Sequence, residues 1–307
     1  SPVEYLSDAE CPRWERFLRE ICCGDDELVE FLRLSLGYSL TGLTTEQCFW
    51  VLYGRGANGK SVLLNTVRQM FGPLAFDPGF ATFEYQKNSS GVPEDVAELA
   101  GRRFVTANEV QEKARLNEQR LKVLSHGDPT SARFLYRRRF EFTPTSKIWL
   151  ALNHRPFVSD DSLGFWRSVR LVPMRAEFLA DEAESGLEER LRAELPGILA
   201  WAVRACLDWQ AAGHLPLPEV VVKATDQYAD ESDPLGVFIQ ERCRVDDGLQ
   251  VGASKMYRAY QSWAEDQGMR RREVLSRTLF GRKLGERFKK AHSVSGWTYS
   301  GITVVGG

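Results

Sequence analysis

The chain has 307 residues, enough for two or three domains and a substantial core. A formal net charge of −2 gives no global pull toward polyanions, so any nucleic-acid site must be a local patch. No apolar run approaches the ~20 residues of a membrane span, and no signal peptide is visible. The six cysteines form no C-x-x-C pair and stand beside only four histidines, which argues against zinc and a disulfide framework and for buried, reduced thiols in a cytoplasmic protein.

In chain order, Phe17, Leu18, Ile21, Leu28, Phe31, Leu32 and Leu36 recur at helical spacing between charges, predicting a helical segment over 12–40 within an N-terminal region of 1–45. A core over 46–178 follows. Its β-rich runs at 48–53, 103–107, 147–152 and 169–173 alternate with helical and turn segments, predicting an α/β fold with a mostly parallel, three-layer sheet. Residues 183–242 read as helices, broken near Gly213 and Pro216-Leu217-Pro218, and the helical segment 179–232 packs on the core. Asp233-Pro234 opens a small domain, 233–307, with helices near 254–266 and 276–290 and a short β-rich tail.

The strongest local signal is Gly54-Arg55-Gly56-Ala57-Asn58-Gly59-Lys60-Ser61, which fits G-x-x-x-x-G-K-[ST]. It follows the apolar run Cys48–Tyr53 and opens into the helical spacing of Val62–Val67. Strand, glycine-rich loop and helix together make a phosphate cradle, because backbone N–H groups turn inward and the helix start adds positive potential. Gly54, Gly56, Ala57, Asn58, Gly59, Lys60, Ser61 and Val62 form the expected nucleotide site, with Lys60 reaching the β- and γ-phosphates and the Ser61 hydroxyl on Mg²⁺. The expected ligand is a nucleoside triphosphate, ATP with Mg²⁺. The loop alone would also suit a small-molecule kinase.

An ATPase needs a carboxylate beside that loop. Arg103–Glu109 is an apolar strand ending in Asn108-Glu109, so Glu109 is the candidate to polarise attacking water and to serve the metal site. Lys147–Asn153 ends in a polar residue too, and Asn153 at a strand's carboxyl end could face the γ-phosphate. Residues 124–142 alternate up to Tyr136 and again at Phe140 and Phe142, around Arg137-Arg138-Arg139, predicting a β-hairpin with a cationic tip that needs a polyanion or acidic partner. Arg167 and Arg170, around the last core strand, are candidates to stabilise transition-state charge at a neighbouring subunit's nucleotide.

In the last domain Leu279, Phe280, Leu284 and Phe288 predict an inner apolar stripe, leaving Arg282, Lys283 and Lys289 on an outer cationic face. Such a helix followed by a β-hairpin suggests a winged helix that binds DNA through Arg282 and Lys283. Arg270, Arg271 and Arg272 add to this cluster.

Four passages, Leu36–Gly42, Gly56–Ser61, Gly127–Tyr136 and Phe142–Pro156, resemble the phage and plasmid primase-helicases, whose AAA+-type ATPase belongs to helicase superfamily 3. The resemblance spans residues 12–175. It rests on the Asn before Gly-Lys-Ser and on Asn153-His154-Arg155-Pro156. It implies a homo-oligomer, a hexameric ring formed with the N-terminal segment, that encircles single-stranded DNA, acts on forked DNA and unwinds duplex in the host cytoplasm. It also implies roles for Lys60, Ser61, Glu109, Asn153 and the hairpin arginines as given above. Asn108 stands where many ATPases have Asp. Ser168 stands where the family usually has the second Arg of Trp-Arg-Arg, which leaves Arg167 or Arg170 for the trans role, with Arg167 favoured. Members often carry a primase or polymerase domain ahead of the helical segment, and the Ser1 start fits the helicase portion of such a chain. The alternative reading is a nucleotide-switched initiator or loader that holds DNA without processive unwinding.

Overall fold

The computed structural model describes residues 1–85, 94–108, 114–134, 137–158, 162–178, 184–267, 269, 274–293 and 296–305. The chain divides into two compact units, Ser1–Tyr228 and Ala229–Gly307.

The first unit is built on five parallel strands: β1 (Phe49–Tyr53), β2 (Ala75–Phe76), β3 (Phe104–Asn108), β6 (Lys147–Leu152) and β7 (Val169–Pro173), in the order β2-β3-β6-β1-β7. Side chains alternate across this sheet. Trp50, Leu52, Phe104 and Trp149 enter one apolar cluster, and Phe49, Val51, Val105, Ile148 and Leu150 enter the other. The first face is covered by α1 (Pro12–Ile21), α2 (Asp26–Ser39), α3 (Lys60–Phe71), α7 (Leu187–Ala193) and α8 (Leu195–Ala212). The second is covered mainly by α5 (Glu118–His126), α6 (Leu163–Trp166) and α9 (Glu219–Ser232). The expected three-layer α/β architecture is present.

The helical stretch expected over 12–40 is two helices. Cys23 and Gly24 take positive φ (53° and 74°), and the Asp25 carboxylate accepts from Leu28 N to cap α2. Cys23 is exposed there, against the expectation of buried thiols, whereas Cys11, Cys22 and Cys48 are buried. α2 crosses α8 closely: a Cβ on Gly37 would overlap the backbone at Ala205 and Cys206. Two tryptophans fix α2 to the sheet. Trp50 and Trp149 stack 4.6 Å apart, and their indole N–H groups donate to Ser35 Oγ (3.0 Å) and Ser39 Oγ (3.3 Å).

Beside the sheet, α4 (Glu94–Glu98) packs near a short hairpin of β4 (Thr130–Ala132) and β5 (Phe140–Phe142), which pair antiparallel with Phe134 stacked on Phe140.

The second unit runs α10 (Pro234–Arg242), β8 (Cys243–Gly252), α11 (Ala253–Asp266), α12 (Arg277–Arg287), β9 (Lys290–Ser293) and β10 (Gly296–Val304). Its strands form an antiparallel sheet in the order β8-β10-β9 over a core of Phe238, Tyr260, Trp263, Phe280, Leu284, Tyr299 and Ile302. β8 was not among the expected strands: it is mostly exposed and carries Asp246-Asp247-Gly248, so it lacks an apolar alternation. No helix among the described residues is long and apolar enough to cross a membrane.

Candidate functional site

The glycine-rich loop Gly54–Gly59 leaves the carboxyl end of β1 and enters α3 at Lys60. Three of its residues take positive φ: Gly56 at 113°, Ala57 at 46° and Gly59 at 81°. Gly59 is also sterically required, because a Cβ there would lie 2.5 Å from Ile21 Cγ2 and 3.2 Å from the Phe17 ring. The loop is tied down at both flanks: Gly54 N donates to Leu152 O (3.1 Å), and Phe178 N donates to Ala57 O (2.8 Å).

Lys60 is buried, and its ammonium donates to Gly54 O (2.6 Å) and Asn58 Oδ1 (2.9 Å). Asn58, also buried, donates its amide to Met174 O (3.3 Å), so it links the loop to the residue after β7. Burial pushes the Lys60 pKa down to about 8. A desolvated cation ringed by a loop with left-handed turns is chemistry suited to phosphate oxygens. Ser61 is exposed in the first turn of α3 and Val62 is half-buried behind it. No group of three or more His, Cys, Asp or Glu side chains arranged to hold a metal ion occurs among the described residues. A hydroxyl beside a polyphosphate fits Mg²⁺, which keeps several waters and takes few protein ligands.

Asn153 lies exposed one position beyond the Tyr53–Leu152 pair of β1 and β6, at the same end of the sheet as the loop. β3 is the next strand over, and its last residue, Asn108, pairs with Ala151. Glu109 lies outside the described residues. The order β3-β6-β1 therefore brings the ends of the two polar-tipped strands and the loop to one edge.

Two cavities flank the loop. One, of about 640 Å³, is lined by Arg55, Arg155, Arg175 and Lys223 beside Glu177 and Glu219. The other, of about 710 Å³, is lined by Phe17, Ala57, Val62, Phe178 and Leu187 with Arg13 and Glu184. Arg155, Arg175 and Phe178 were not among the expected site residues. Arg175 and Phe178 follow β7 at the carboxyl edge, where ligands of open α/β sheets collect, and that rule could have flagged them.

Other expected residues lie elsewhere. Arg167 is exposed and Arg170 half-buried at the amino end of β7, where Phe49 N donates to Ser168 O (2.8 Å) and Arg170 pairs with Trp50. At ~3.3 Å per residue, Arg170 is ~13 Å short of Gly54 along the strand direction, so neither arginine reaches the loop of its own chain. Arg170 donates to the carbonyls of Arg167 and Val169, while buried Ser168 bonds His126 Nε2 at 2.9 Å. Arg137, Arg138 and Arg139 are exposed between β4 and β5, as the hairpin reading expects, and Tyr136 lies outside the described residues.

In the second unit Arg282 is exposed, but Lys283 is buried, which corrects its placement on the outer cationic face. At i+3 from Phe280 and i−1 from Leu284 it belongs to the inward stripe of α12. Arg270, Arg271 and Arg272 lie outside the described residues.

Residues 230–303 match the family described as poxvirus D5 protein-like, and residues 52–167 match a family of unknown function, DUF5906. A protein of Acanthamoeba polyphaga mimivirus named as a helicase is 26% identical over 260 residues, covering 78% of this chain. The chain spans 27% of that protein's length. Two structures of the NrS-1 C-terminal region share the fold, with TM-scores of 0.62 and 0.60 at 11% and 12% identity, covering 98% and 99% of this chain and 78% and 77% of theirs. These likenesses support the resemblance to phage and viral primase-helicases that the motifs carry, and the solved structures share the fold.

Proposed function

We propose that this chain is the ATP-hydrolysing motor of a DNA helicase, which assembles as a ring and translocates on single-stranded DNA. The observation that carries this reading is the Lys60 loop set at one sheet edge with Asn153 and the end of β3, in a chain that also presents three exposed arginines on a hairpin. In this reading Lys60 and the loop N–H groups hold the β- and γ-phosphates, and Ser61 and Glu109 serve Mg²⁺. Glu109 also orients water, and Asn153 senses the γ-phosphate. The nucleobase occupies the more apolar cavity against Phe178. Held by Ser61 and Glu109, Mg²⁺ would supply neutralisation of charge developing on the phosphates. Arg137–Arg139 grip backbone phosphates, and Arg167 completes a neighbour's site. The second unit, with its α–β–α–α–β–β order, serves as a winged-helix DNA-binding domain.

The test is ATPase activity with and without single-stranded DNA, together with displacement of a strand from a fork. Lys60→Ala should abolish both activities. Replacing Arg137, Arg138 and Arg139 together by Ala should remove DNA stimulation and flatten the log–log salt slope of single-strand binding by about 2. Full stimulation in that triple variant would exclude the hairpin as the DNA grip. Nucleotide-dependent DNA binding by an assembled protein that displaces no strand would favour the initiator or loader reading.

A further inference from the structure

From the second unit we infer that Trp297 is a stacking platform for an unpaired base, so that the β9–β10 hairpin holds single-stranded nucleic acid at a junction. This rests on DNA being the partner, as proposed above, and assigns a residue and a strand state to that contact. Trp297 is 51% exposed, which alone means little for one side chain. Its surroundings are what distinguish it. The cross-strand partner His292 meets the indole edge-to-face at 4.8 Å, and the Lys290 ammonium lies 4.6 Å from the ring centroid. The ring is thus held by two cationic or ionisable neighbours and still open to solvent.

The strand beneath it is anchored. Tyr299, on the same face two residues along, is buried and donates its hydroxyl to Gly281 O of α12 at 3.1 Å. Trp297 therefore extends a surface beside α12, where Arg282 is exposed, and Lys289 and Lys290 on the hairpin are exposed too. Residues 287–307 contain no Asp or Glu. A fixed, half-open indole beside Lys290, on a hairpin that carries cations and no carboxylate of its own, suits a polyanion that carries aromatic faces. Paired bases hide those faces, so the ligand is the unpaired strand.

The test uses the whole 307-residue chain and fluorescent probes: a single-stranded oligonucleotide, a fork, and a blunt duplex of equal length. Trp297→Ala and Trp297→Leu should each weaken single-strand and fork binding by about 5- to 150-fold, while Trp297→Phe stays within about threefold of the parent. Duplex affinity, melting temperature and DNA-independent ATPase should not change. Lys290→Ala should lower the salt slope for the single strand by about 0.7.

The inference is overturned if Trp297→Ala binds single strands like the parent, or if Leu substitutes as well as Phe. Equal losses on duplex and single strand would also overturn it, as would stronger association of the parent with anionic vesicles than with oligonucleotide. If the parent binds no DNA at all, the helicase reading fails with it. If DNA still stimulates ATPase but Trp297→Ala has no effect on binding, only the stacking assignment fails.

Discussion

The Lys60 ammonium sits between two oxygens of its own loop, Gly54 O and Asn58 Oδ1, in a place that burial has stripped of most water. The unfolded chain keeps this proton to about its ordinary 10.5, whereas the folded chain releases it near 8. Burying the charge therefore costs stability below pH 8, and the cost is relieved as pH rises from 8 toward 10.5. The proposed nucleotide binding runs the other way, since polyphosphate needs the cation. ATP affinity should fall above pH 8, by up to about tenfold per pH unit, and Lys60→Arg should remove that inflection. Titration calorimetry from pH 7 to 9.5 checks this. Melting would not isolate Lys60, because Lys147 carries a similar shift. Its pKa is pushed down to about 7 by burial and then by Arg103, while its ammonium donates to Thr145 O (3.2 Å) and lies over the Tyr38 ring. A flat affinity profile across pH 8 would show that the loop does not depend on Lys60 charge.

Among elements, α2 and the sheet are joined by hydrogen bonds that no local pattern announces. Ser35→Ala leaves the Trp50 indole N–H buried without its acceptor and should cost about 1–3 kcal/mol, seen as a lower denaturant midpoint at unchanged m-value. Gly59→Ala should cost at least about 1 kcal/mol from its positive φ, more from the Ile21 contact, and should weaken ATP binding as α1 shifts. The reach of sequence reasoning is visible in the same elements. β6 is buried along its whole length and β7 is mostly apolar and buried, and the expected spans 147–152 and 169–173 coincide with the strands found. β8 was not legible because pairing with β10, rather than its own mostly exposed side chains, makes it a strand. Lys283 was misplaced because charge was weighed above helical phase. The loop itself was legible because its chemistry is contiguous. Arg155, Arg175 and Phe178 carry no contiguous signal: the parallel register brings them to the same edge, and only the rule for strand carboxyl ends points to the last two.

For the whole molecule, Arg167 and Arg170 lie too far from the glycine-rich loop of their own chain to complete the proposed nucleotide site there. Both lie at the amino end of β7, and the loop lies at the carboxyl end of its neighbour β1. Arg170 is committed to the carbonyls of Arg167 and Val169, whereas Arg167 is exposed. If Arg167 serves the next subunit, the Lys60→Ala and Arg167→Ala chains should each be inactive alone and should complement each other when mixed. A head-to-tail contact in which the Arg167→Ala chain supplies the loop and the Lys60→Ala chain supplies the arginine has both groups intact. Random 1:1 mixing makes about a quarter of contacts of this kind, so ATPase should recover toward that fraction of the parent rate. Arg167→Ala alone should lower the rate by about 10³- to 10⁵-fold while leaving ATP affinity nearly unchanged, as loss of a transition-state contact requires. Recovery needs co-assembly, so mass measurement with a non-hydrolysable nucleotide and single-stranded DNA must accompany the rates. Mixed assemblies without recovered activity would remove Arg167 from the trans role, and the same mixture made with Arg170→Ala would then decide whether its neighbour takes that place.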